Sequence, residues 1–338
     1  MTTSPLTADA VRAARRAIGD RLHTTPLLTS ARTSERVGAE VLLKAELFQR
    51  TGSFKPRGVY AKLLRLTAEE RRRGVVAASS GNHAQALAYC AKTLGIDCLA
   101  VMWPAASAQK IAAVRNYGAA VDLTSNDGTE AEQRAAAAAV ETRRILIPAY
   151  DDDTVIAGQG TLALELLEQV PDPHAILVPV SGGGLLAGIA TATKAANPQT
   201  RIIAVEPAAS PALTLALRAG HPVPRQGQSI ADGLQAPTIG DRCLPIIQSL
   251  VDEVVTVTED EIAEATRWLY TTAKLACEPA GAATTAALLA GSPRLAGNTR
   301  AVALVSGGNV DLELLSTIFG REAAPSTSPS AGDGGDER

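Results

Sequence analysis

An α/β fold with open, mostly parallel sheets flanked by helices is predicted by three features of this sequence. Short apolar runs alternate with alanine-rich segments of helical period, which is the order typical of α/β units. The runs contain almost no polar residues, as expected of strands buried on both faces of a parallel sheet. The chain has 338 residues, and chains of this length usually divide into about two domains, each with its own core.

Nine strands are predicted in chain order, at residues 41–45, 74–78, 98–102, 120–123, 145–148, 175–180, 202–205, 254–257 and 301–305. Helices are predicted between them, at residues 84–94, 107–117, 129–142, 160–169, 185–196, 259–274 and 281–290. The first 20 residues are predicted to form a loop and then an amphipathic helix. Ligands of parallel sheets bind beyond the carboxyl ends of the strands, so the loops at those ends are expected to carry the chemistry.

Composition and charge exclude several classes of partner. A net charge of −3 with interspersed signs, and only three Phe, two Trp and five Tyr, give neither a basic stripe nor a base-stacking surface, so no nucleic-acid partner is expected. The four cysteines form no CxxC pair and the four histidines lie far apart, which argues against a disulfide framework or a zinc site. A cytoplasmic protein is the expectation.

The two chain ends and one long apolar run bear on the location and order of the chain. No export signal is visible at the N-terminus. The apolar run at residues 175–193 is broken by Pro179 and three glycines, so no membrane contact is expected. Residues 321–338 are polar and rich in Pro, Ser and Gly, and they are predicted to be disordered.

The first chemically suggestive segment is residues 51–58, where Lys55 stands between a glycine turn and Pro56. Proline is tolerated at the first position of a helix, so Lys55 is predicted to lie just ahead of a helix. The positive end of that helix and partial burial both favour a neutral amine, which can form a covalent bond with an aldehyde. The alternative is an ordinary solvated lysine.

The second segment, residues 78–85, ends a strand with hydroxyls and a glycine and then opens a helix. Backbone N–H groups at a helix start, together with Ser and Asn side chains, could hold a carboxylate, and the Asn82 amide could donate to a phenolic oxygen. An N-cap provided by Ser79, Ser80 or Asn82 is the alternative. For His83 a structural role is expected and no catalytic one.

Two further segments follow later strands. In residues 178–188, successive small residues after a strand would let backbone amides converge on phosphate oxygens, or would simply form a tight turn. This segment is neither GxGxxG nor a P-loop, so a dinucleotide or ATP site of those kinds has no support. In residues 304–311, Ser306 ends the last strand and could hydrogen-bond a heterocyclic nitrogen or act as another cap.

Together these four segments resemble the fold-type II (tryptophan synthase β-like) pyridoxal-phosphate enzymes, specifically the branch of serine/threonine dehydratases and serine racemases. The likeness extends to further segments at residues 150–161, 230–233, 257–261 and 278–281. It implies a homodimer with a large cofactor-binding domain (residues 1–70 and 149–320) and a small mobile domain (residues 71–148).

The resemblance also implies how the cofactor, pyridoxal 5′-phosphate, is held. Lys55 would bind it covalently, Phe54 would lie against its ring, and Asn82 would contact its hydroxyl. Ser306 would face the pyridine nitrogen, and Glu278 would stand near the cofactor or the incoming amine. Backbone amides would hold the phosphate at Gly182, Gly183, Gly184 and Leu185.

Substrate binding and the reaction are implied in the same way. The substrate carboxylate would be bound by one loop, formed by Ser79, Ser80, Gly81, Asn82 and His83. The Lys55 amine would remove the Cα proton of a small β-hydroxy amino acid. Elimination would then turn L-threonine into 2-oxobutanoate and ammonia, or L-serine into pyruvate and ammonia. A neutral hydroxyl at Ser306 suits β-elimination, because it cannot hold a full proton on the cofactor nitrogen.

Three alternatives remain. A hydroxyl at Ser80, opposite Lys55, could return a proton from the other face, so amino-acid racemisation with side elimination is the main rival. Pro56 stands where β-replacing relatives usually carry aspartate, which argues against β-replacement. A non-catalytic cofactor-binding protein is the third.

The metal-binding relatives carry a Glu-Pro pair and an aspartate six residues after its glutamate. Here Ala212 stands six residues after Glu206, so no divalent cation is expected, and Glu206 would contribute at most to a weaker cation site.

Overall fold

The computed structural model describes residues 6–104, 107–296 and 298–320; the predicted disordered segment, 321–338, lies outside them. Ten strands lie in these ranges: β1 (Leu27–Thr29), β2 (Glu40–Ala45), β3 (Val75–Ala78), β4 (Cys98–Val101), β5 (Ala120–Asp122), β6 (Ile145–Leu146), β7 (Ala175–Pro179), β8 (Arg201–Pro207), β9 (Glu253–Val257) and β10 (Arg300–Val305). The α-helices are α1 (Ala8–Ile18), α2 (Ala31–Val37), α3 (Pro56–Leu64), α4 (Ala68–Arg73), α5 (Asn82–Thr93), α6 (Ala108–Asn116), α7 (Gly128–Thr142), α8 (Asp153–Gln169), α9 (Gly184–Ala196), α10 (Ala212–Ala219), α11 (Cys243–Leu250), α12 (Glu259–Trp268), α13 (Pro279–Leu289) and α14 (Leu312–Gly320).

The strands form two separate sheets. The larger has six strands in the order β1-β2-β10-β7-β8-β9, and the smaller has four in the order β5-β4-β3-β6. Every pair is parallel except β1 with β2. The smaller sheet is formed by one continuous part of the chain, between the second and the seventh strand. Its insertion leaves the larger sheet composed of segments from both sides of that insert.

The nine predicted strands are confirmed, with ends displaced by one or two residues. β1 was missed because its three residues are too few to show a period, and it is the only antiparallel strand of the described chain. The predicted helix at residues 259–274 is regular only to Trp268 and continues as a π-helical turn, Leu269–Ala273. That turn ends at Lys274, which adopts a left-handed conformation.

Helices α8 and α9 cross in close contact at two glycines. A Cβ placed on Gly188 would lie 2.4 Å from the carbonyl oxygen of Ile156, and one placed on Gly160 would lie 2.6 Å from the carbonyl oxygen of Gly188. Only glycine allows backbones to approach this closely. The contact sets α9, which begins soon after β7, against the helix that precedes that strand.

A buried ionic cluster lies beneath helix α3. Lys44 donates to Glu165 at 2.6 Å, and Arg57 donates to Glu46 at 2.7 Å and to Glu165 at 2.8 Å. All four side chains are at least nine-tenths buried. Burial alone would raise the pKa of Glu165, but the Arg57 and Lys44 charges outweigh it and hold that pKa below its ordinary value. The cluster fixes Arg57, and so the first turn of α3, against the larger sheet.

Substitution of Glu165 with Gln is expected to lower the free energy of unfolding by about 3 kcal/mol, because it leaves two buried cations with one carboxylate. Glu168→Gln on the same helix is the control. Its pair with Arg15 is largely exposed, so a loss below about 1 kcal/mol is expected. Urea unfolding of the two variants measures the difference. Equal losses would contradict the role given to the buried cluster.

The same ion pairs predict a pH dependence of stability. The pKa of Glu165 is depressed in the folded protein, so its contribution is present above the ordinary glutamate pKa and is lost as the pH falls through the folded value. The wild-type free energy of unfolding should therefore decrease on acidification in that window. Glu165→Gln should show a shallower decrease in the same series of urea titrations.

Candidate active site

A cavity of about 730 Å³ lies at the carboxyl ends of strands from both sheets. Loops that follow β3, β7 and β10 line it, together with the residues that precede α3. With one exception, Glu206, the predicted site residues all line this cavity: Phe54, Lys55, Ser79, Ser80, Gly81, Asn82, His83, Gly182, Gly183, Gly184, Leu185, Glu278 and Ser306. Segments from distant parts of the sequence thus meet at one place.

Lys55 stands immediately before α3, which begins at Pro56 as predicted. Its Nζ donates to the carbonyl oxygen of Ala149 at 3.1 Å and lies 5.2 Å from the centre of the Phe54 ring. Burial lowers the pKa of Lys55 to about 8, although the nearby Glu278 carboxylate opposes the shift. The amine is therefore available in its neutral form close to neutral pH, as nucleophilic and basic chemistry requires.

The glycine segment forms the bare start of helix α9. Gly183 is the N-cap with φ of +95°, and no side chain caps the helix. A Cβ on Gly182 would lie 2.3 Å from the Tyr150 ring, so the loop lies flat against that ring. The Ser181 hydroxyl accepts a hydrogen bond from the N–H of Ala236 at 2.9 Å. The first N–H groups of the helix thus have no side-chain acceptor, and Gly183, Gly184 and Leu185 line the cavity, an arrangement that can bind an anion.

The second loop opens helix α5 without a side-chain cap. Gly81 is the N-cap, and the Ser79 hydroxyl accepts from its N–H at 3.2 Å. Capping of this helix by Ser79, Ser80 or Asn82 is therefore not what the structure contains. The Nε2 of His83 lies 2.9 Å from the carbonyl oxygen of Ile147, and burial, with Lys55 nearby, lowers the pKa of His83 to about 3. His83 is neutral and anchored to the backbone.

Glu278 is a buried carboxyl at the N-cap of α13. Its Oε1 accepts a hydrogen bond from the Asn82 amide at 2.7 Å, while its Oε2 has no partner in the described chain. Burial, reinforced by Asp232, raises the pKa of Glu278 to about 8 against the opposing charges of Lys110 and Lys55. The pKa of this carboxyl therefore lies close to that of the Lys55 amine.

Ser306 follows β10 and is almost fully buried at the cavity wall. Its carbonyl oxygen accepts from the N–H of Phe54 at 3.2 Å, and Ser53 forms an antiparallel bridge with Gly307. These backbone bonds hold the loop of Lys55 against the end of the last strand. The first and the fourth motif, far apart in the sequence, are neighbours in the fold.

Several cavity residues had no signal in the sequence strong enough to select them. Tyr150 lies against Gly182 at the cavity. It falls in residues 150–161, which resemble the family, but the resemblance assigned Tyr150 no role. Lys110 of α6 donates to Asp232 at 2.5 Å, joining the part of the chain that contains the smaller sheet to the larger part. Asp232 lies in a similar segment too, but a pairing between two such distant residues cannot be inferred from spacing.

Glu206 lies elsewhere, at the end of β8. Its carboxylate accepts from the N–H groups of Leu213 and Thr214 and from the Thr214 hydroxyl, which places it at the first turn of α10. Across the residues that the structure describes, no group of three or more His, Cys, Asp or Glu is arranged to hold a metal ion. Within those same ranges, no helix combines the length and the apolar character needed to cross a membrane.

Comparisons with known proteins agree with this geometry. A sequence profile for pyridoxal-phosphate dependent enzymes matches residues 18–307. L-threonine ammonia-lyase of Thermotoga maritima is 40% identical over 318 residues, which are 94% of this chain and 79% of that protein. Serine racemase of Arabidopsis thaliana is 41% identical over 303 residues, 88% of this chain and 91% of that protein.

A solved structure leads to the same group. The structure of maize serine racemase superimposes with a TM-score of 0.88 at 37% identity, covering 94% of this chain and 97% of the maize chain. The predicted fold-type II architecture is thereby confirmed. The chain belongs to the family of pyridoxal-phosphate-dependent enzymes.

Proposed function

We propose that this protein is an ammonia-lyase that uses pyridoxal phosphate to dehydrate and deaminate a small β-hydroxy amino acid. L-threonine would give 2-oxobutanoate and ammonia, and L-serine would give pyruvate and ammonia. One observation carries the proposal: a lysine of lowered pKa, an uncapped glycine helix start and a neutral serine hydroxyl meet in one cavity. The similarity to a threonine ammonia-lyase along most of the chain supports it.

The residues present fit the cofactor. The start of α9 offers uncapped N–H groups for a phosphate, and side chains at Gly182 or Gly184 would collide with Tyr150 at 2.3 Å and 2.8 Å. Lys55 supplies the amine, and one amide hydrogen of Asn82 remains for a phenolic oxygen after its bond to Glu278. We assign the phosphate to Gly182, Gly183, Gly184 and Leu185, the ring to Phe54 and the pyridine nitrogen to Ser306.

The protein's own groups account for removal of the Cα proton and for orientation of the substrate. Bound pyridoxal phosphate supplies an electron sink for the charge left on Cα. The Lys55 Nζ, neutral above pH about 8, accepts the Cα proton. Uncapped N–H groups at the start of α5 orient the substrate carboxylate, which we assign to Ser79–His83. Above its pKa of about 8 the Glu278 carboxyl is ionised and can accept a proton from the incoming amine.

Ser306 favours elimination over reactions that need long-lived carbanions. A neutral hydroxyl accepts or donates a hydrogen bond at the pyridine nitrogen but does not hold a proton there, so the electron sink is weak. Loss of a β-hydroxyl removes the charge from Cα promptly and does not depend on a strong sink. This chemistry selects a substrate with a leaving group on Cβ.

Racemisation is the second candidate, because Ser80 lines the cavity and does not cap α5. A hydroxyl on the face opposite Lys55 would return a proton to Cα with inverted configuration. The similarity to two serine racemases supports this candidate. Both activities start with the same proton removal by Lys55, so they differ in the fate of the β-hydroxyl.

Cofactor-loaded protein incubated with L-threonine and L-serine separates the two candidates. The lyase predicts 2-oxo acid, measured by coupled reduction, with little D-serine by chiral chromatography. D-serine in comparable amount would make racemisation the main activity. If neither product forms, both proposals are wrong.

Ser80→Ala measures the contribution of this hydroxyl. We expect D-serine formation to fall by about a hundredfold or more if Ser80 is the second acid, while elimination from L-threonine changes by less than about tenfold. The ratio of D-serine to pyruvate from L-serine is the readout. An unchanged ratio would remove Ser80 from the mechanism.

We further propose a small mobile domain at residues 71–148, with residues 1–70 and 149–320 as the large domain. The ion pair of Lys110 with Asp232 would then bridge the two across the cavity. Burial lowers the pKa of Lys110, but the Asp232 carboxylate outweighs burial and raises it, so the ion pair persists at neutral pH.

We also propose that the protein is a cytoplasmic homodimer that needs no divalent cation. Light scattering tests the dimer, and activity assays with a chelator test the need for a cation.

A further inference from the structure

A chain of side-chain amides connects the loop of Lys55 to Glu278. Asn309 donates through Nδ2 to the carbonyl oxygen of Thr51 at 2.7 Å and to the Oδ1 of Asn82 at 2.7 Å. Asn82 in turn donates through Nδ2 to the Oε1 of Glu278 at 2.7 Å. Asn309 lies in the loop after the last strand, which is tied to the first motif by a bond from the Gly308 N–H to the Gly52 carbonyl oxygen at 2.9 Å.

The direction of every bond in this chain follows from its first acceptor. A backbone carbonyl can only accept, so the atom of Asn309 that contacts Thr51 must be its nitrogen. The same nitrogen contacts Asn82, which must therefore present its oxygen. The nitrogen of Asn82 is left to face Glu278, where a carboxylate oxygen accepts. The backbone of Thr51 thus settles which way round two side-chain amides lie.

We propose that Asn309 is a positioning residue that fixes the Asn82 amide with its nitrogen toward Glu278 and the cofactor cavity. The inference rests on the proposed function, in which Asn82 contacts the cofactor hydroxyl. Without Asn309 the amide of Asn82 could rotate by half a turn and present an oxygen to a carboxylate and to a phenolic oxygen. Above its pKa of about 8 Glu278 is ionised and only accepts, as an ionised phenolic oxygen does, so that orientation then leaves each without a donor.

The surrounding backbone is shaped to admit Asn309. Gly52 has φ of +74°, and a Cβ at that position would lie 2.7 Å from the Oδ1 of Asn309. Thr51 also has a positive φ, of 62°, which is uncommon for a residue with a branched side chain. The turn of the first motif therefore carries both the carbonyl that Asn309 contacts and the space that its side chain occupies.

Glu278 receives the consequence. Burial and the charge of Asp232 raise the pKa of Glu278. Lys110 on α6, the hydrogen bond from Asn82 and Lys55 before α3 lower it. The thiol of Cys277 precedes Glu278 in the chain. Loss of the correctly oriented amide would raise the pKa of Glu278. The pH at which the bound-cofactor spectrum changes should then move upward.

A double-mutant cycle on cofactor affinity tests the proposal. The dissociation constant of pyridoxal phosphate is measured by absorbance titration for wild type, Asn309→Ala, Asn82→Ala and the double variant. We expect Asn309→Ala to weaken binding about tenfold in the wild-type background, a loss of one oriented hydrogen bond, and less than about twofold when Asn82 is already alanine. The upward shift of the spectral midpoint should likewise vanish in the Asn82→Ala background.

Equal losses of affinity in both backgrounds would overturn the proposal, because Asn309 would then act through Thr51 alone; no loss in either would overturn it as well. Circular dichroism checks the fold of each variant. If Asn309→Ala does not fold, Asn309→Asp replaces it in the cycle with the same two outcomes, since aspartate keeps the volume but has no N–H to donate. Affinity is independent of turnover, so a protein that binds the cofactor but leaves threonine unchanged would contradict the proposed function and not this inference.

Discussion

Lys55→Ala is expected to abolish turnover of L-threonine, by at least about a thousandfold, and to remove the yellow absorbance band of a lysine-bound pyridoxal phosphate. We assign both the covalent anchor and the base to the amine of Lys55, so its removal takes away both functions at once. Lys110 is the other lysine that lines the cavity, and it forms an ion pair with Asp232 at 2.5 Å. Burial lowers the pKa of Lys110, but the Asp232 carboxylate outweighs burial and raises it above its ordinary value.

Lys62→Ala is the matched control, because Lys62 lies on α3, which begins directly after Lys55, and forms an ion pair with Asp152 at 2.5 Å outside the cavity lining. It should keep the yellow band and most of the activity. Absorbance spectra and coupled oxo-acid assays of the two variants are compared at equal cofactor loading. An intact band in Lys55→Ala would refute the assignment of the anchor.

Gly182→Ala is expected to lower turnover by about a hundredfold, because the new methyl group must displace the Tyr150 ring and shift the glycine loop to which we assign the phosphate. The ideal Cβ lies 2.3 to 2.5 Å from three atoms near the root of that ring, where a rotation of the side chain gives little relief. Weaker cofactor binding should accompany the loss of turnover, and spectral titration with pyridoxal phosphate measures it.

Gly320→Ala adds the same methyl group in a place where nothing lies within 4 Å, so its cofactor affinity should match that of the wild type. The combination Gly182→Ala with Tyr150→Ala provides a second check. If the collision is the cause, removal of the ring should recover part of the lost affinity. Full affinity in Gly182→Ala alone would show that the loop tolerates a side chain.

Much of the fold and the meeting of the motifs could be predicted because both depend on local patterns. Buried parallel strands are apolar throughout, and their carboxyl ends share one edge, so the residues after β3, β7 and β10 were expected at such edges, where they lie. The position of Lys55 before α3 followed from Pro56 alone. These inferences need no knowledge of which distant residues touch.

The remaining features depend on contacts that leave no period or spacing in the sequence. The pairs Lys110 with Asp232 and Asn82 with Asn309 join residues 122 and 227 positions apart. Tyr150 could not be placed beneath Gly182, because the contact exists only once α9 is set against the segment that leads into α8. Polar contacts of this kind become visible only in three dimensions.

The strand order of the larger sheet has a consequence for synthesis of the protein. β10 lies between β2 and β7, yet it is the last of the described strands to leave the ribosome. Until then the larger sheet exists as two halves, each with an unpaired apolar edge that can recruit other chains. A chain truncated before residue 300 is thus expected to aggregate or be degraded. Because β10 also delivers Ser306 and Asn309, the sheet and the cavity are completed together, and a nascent chain cannot hold a finished site in an unfinished fold.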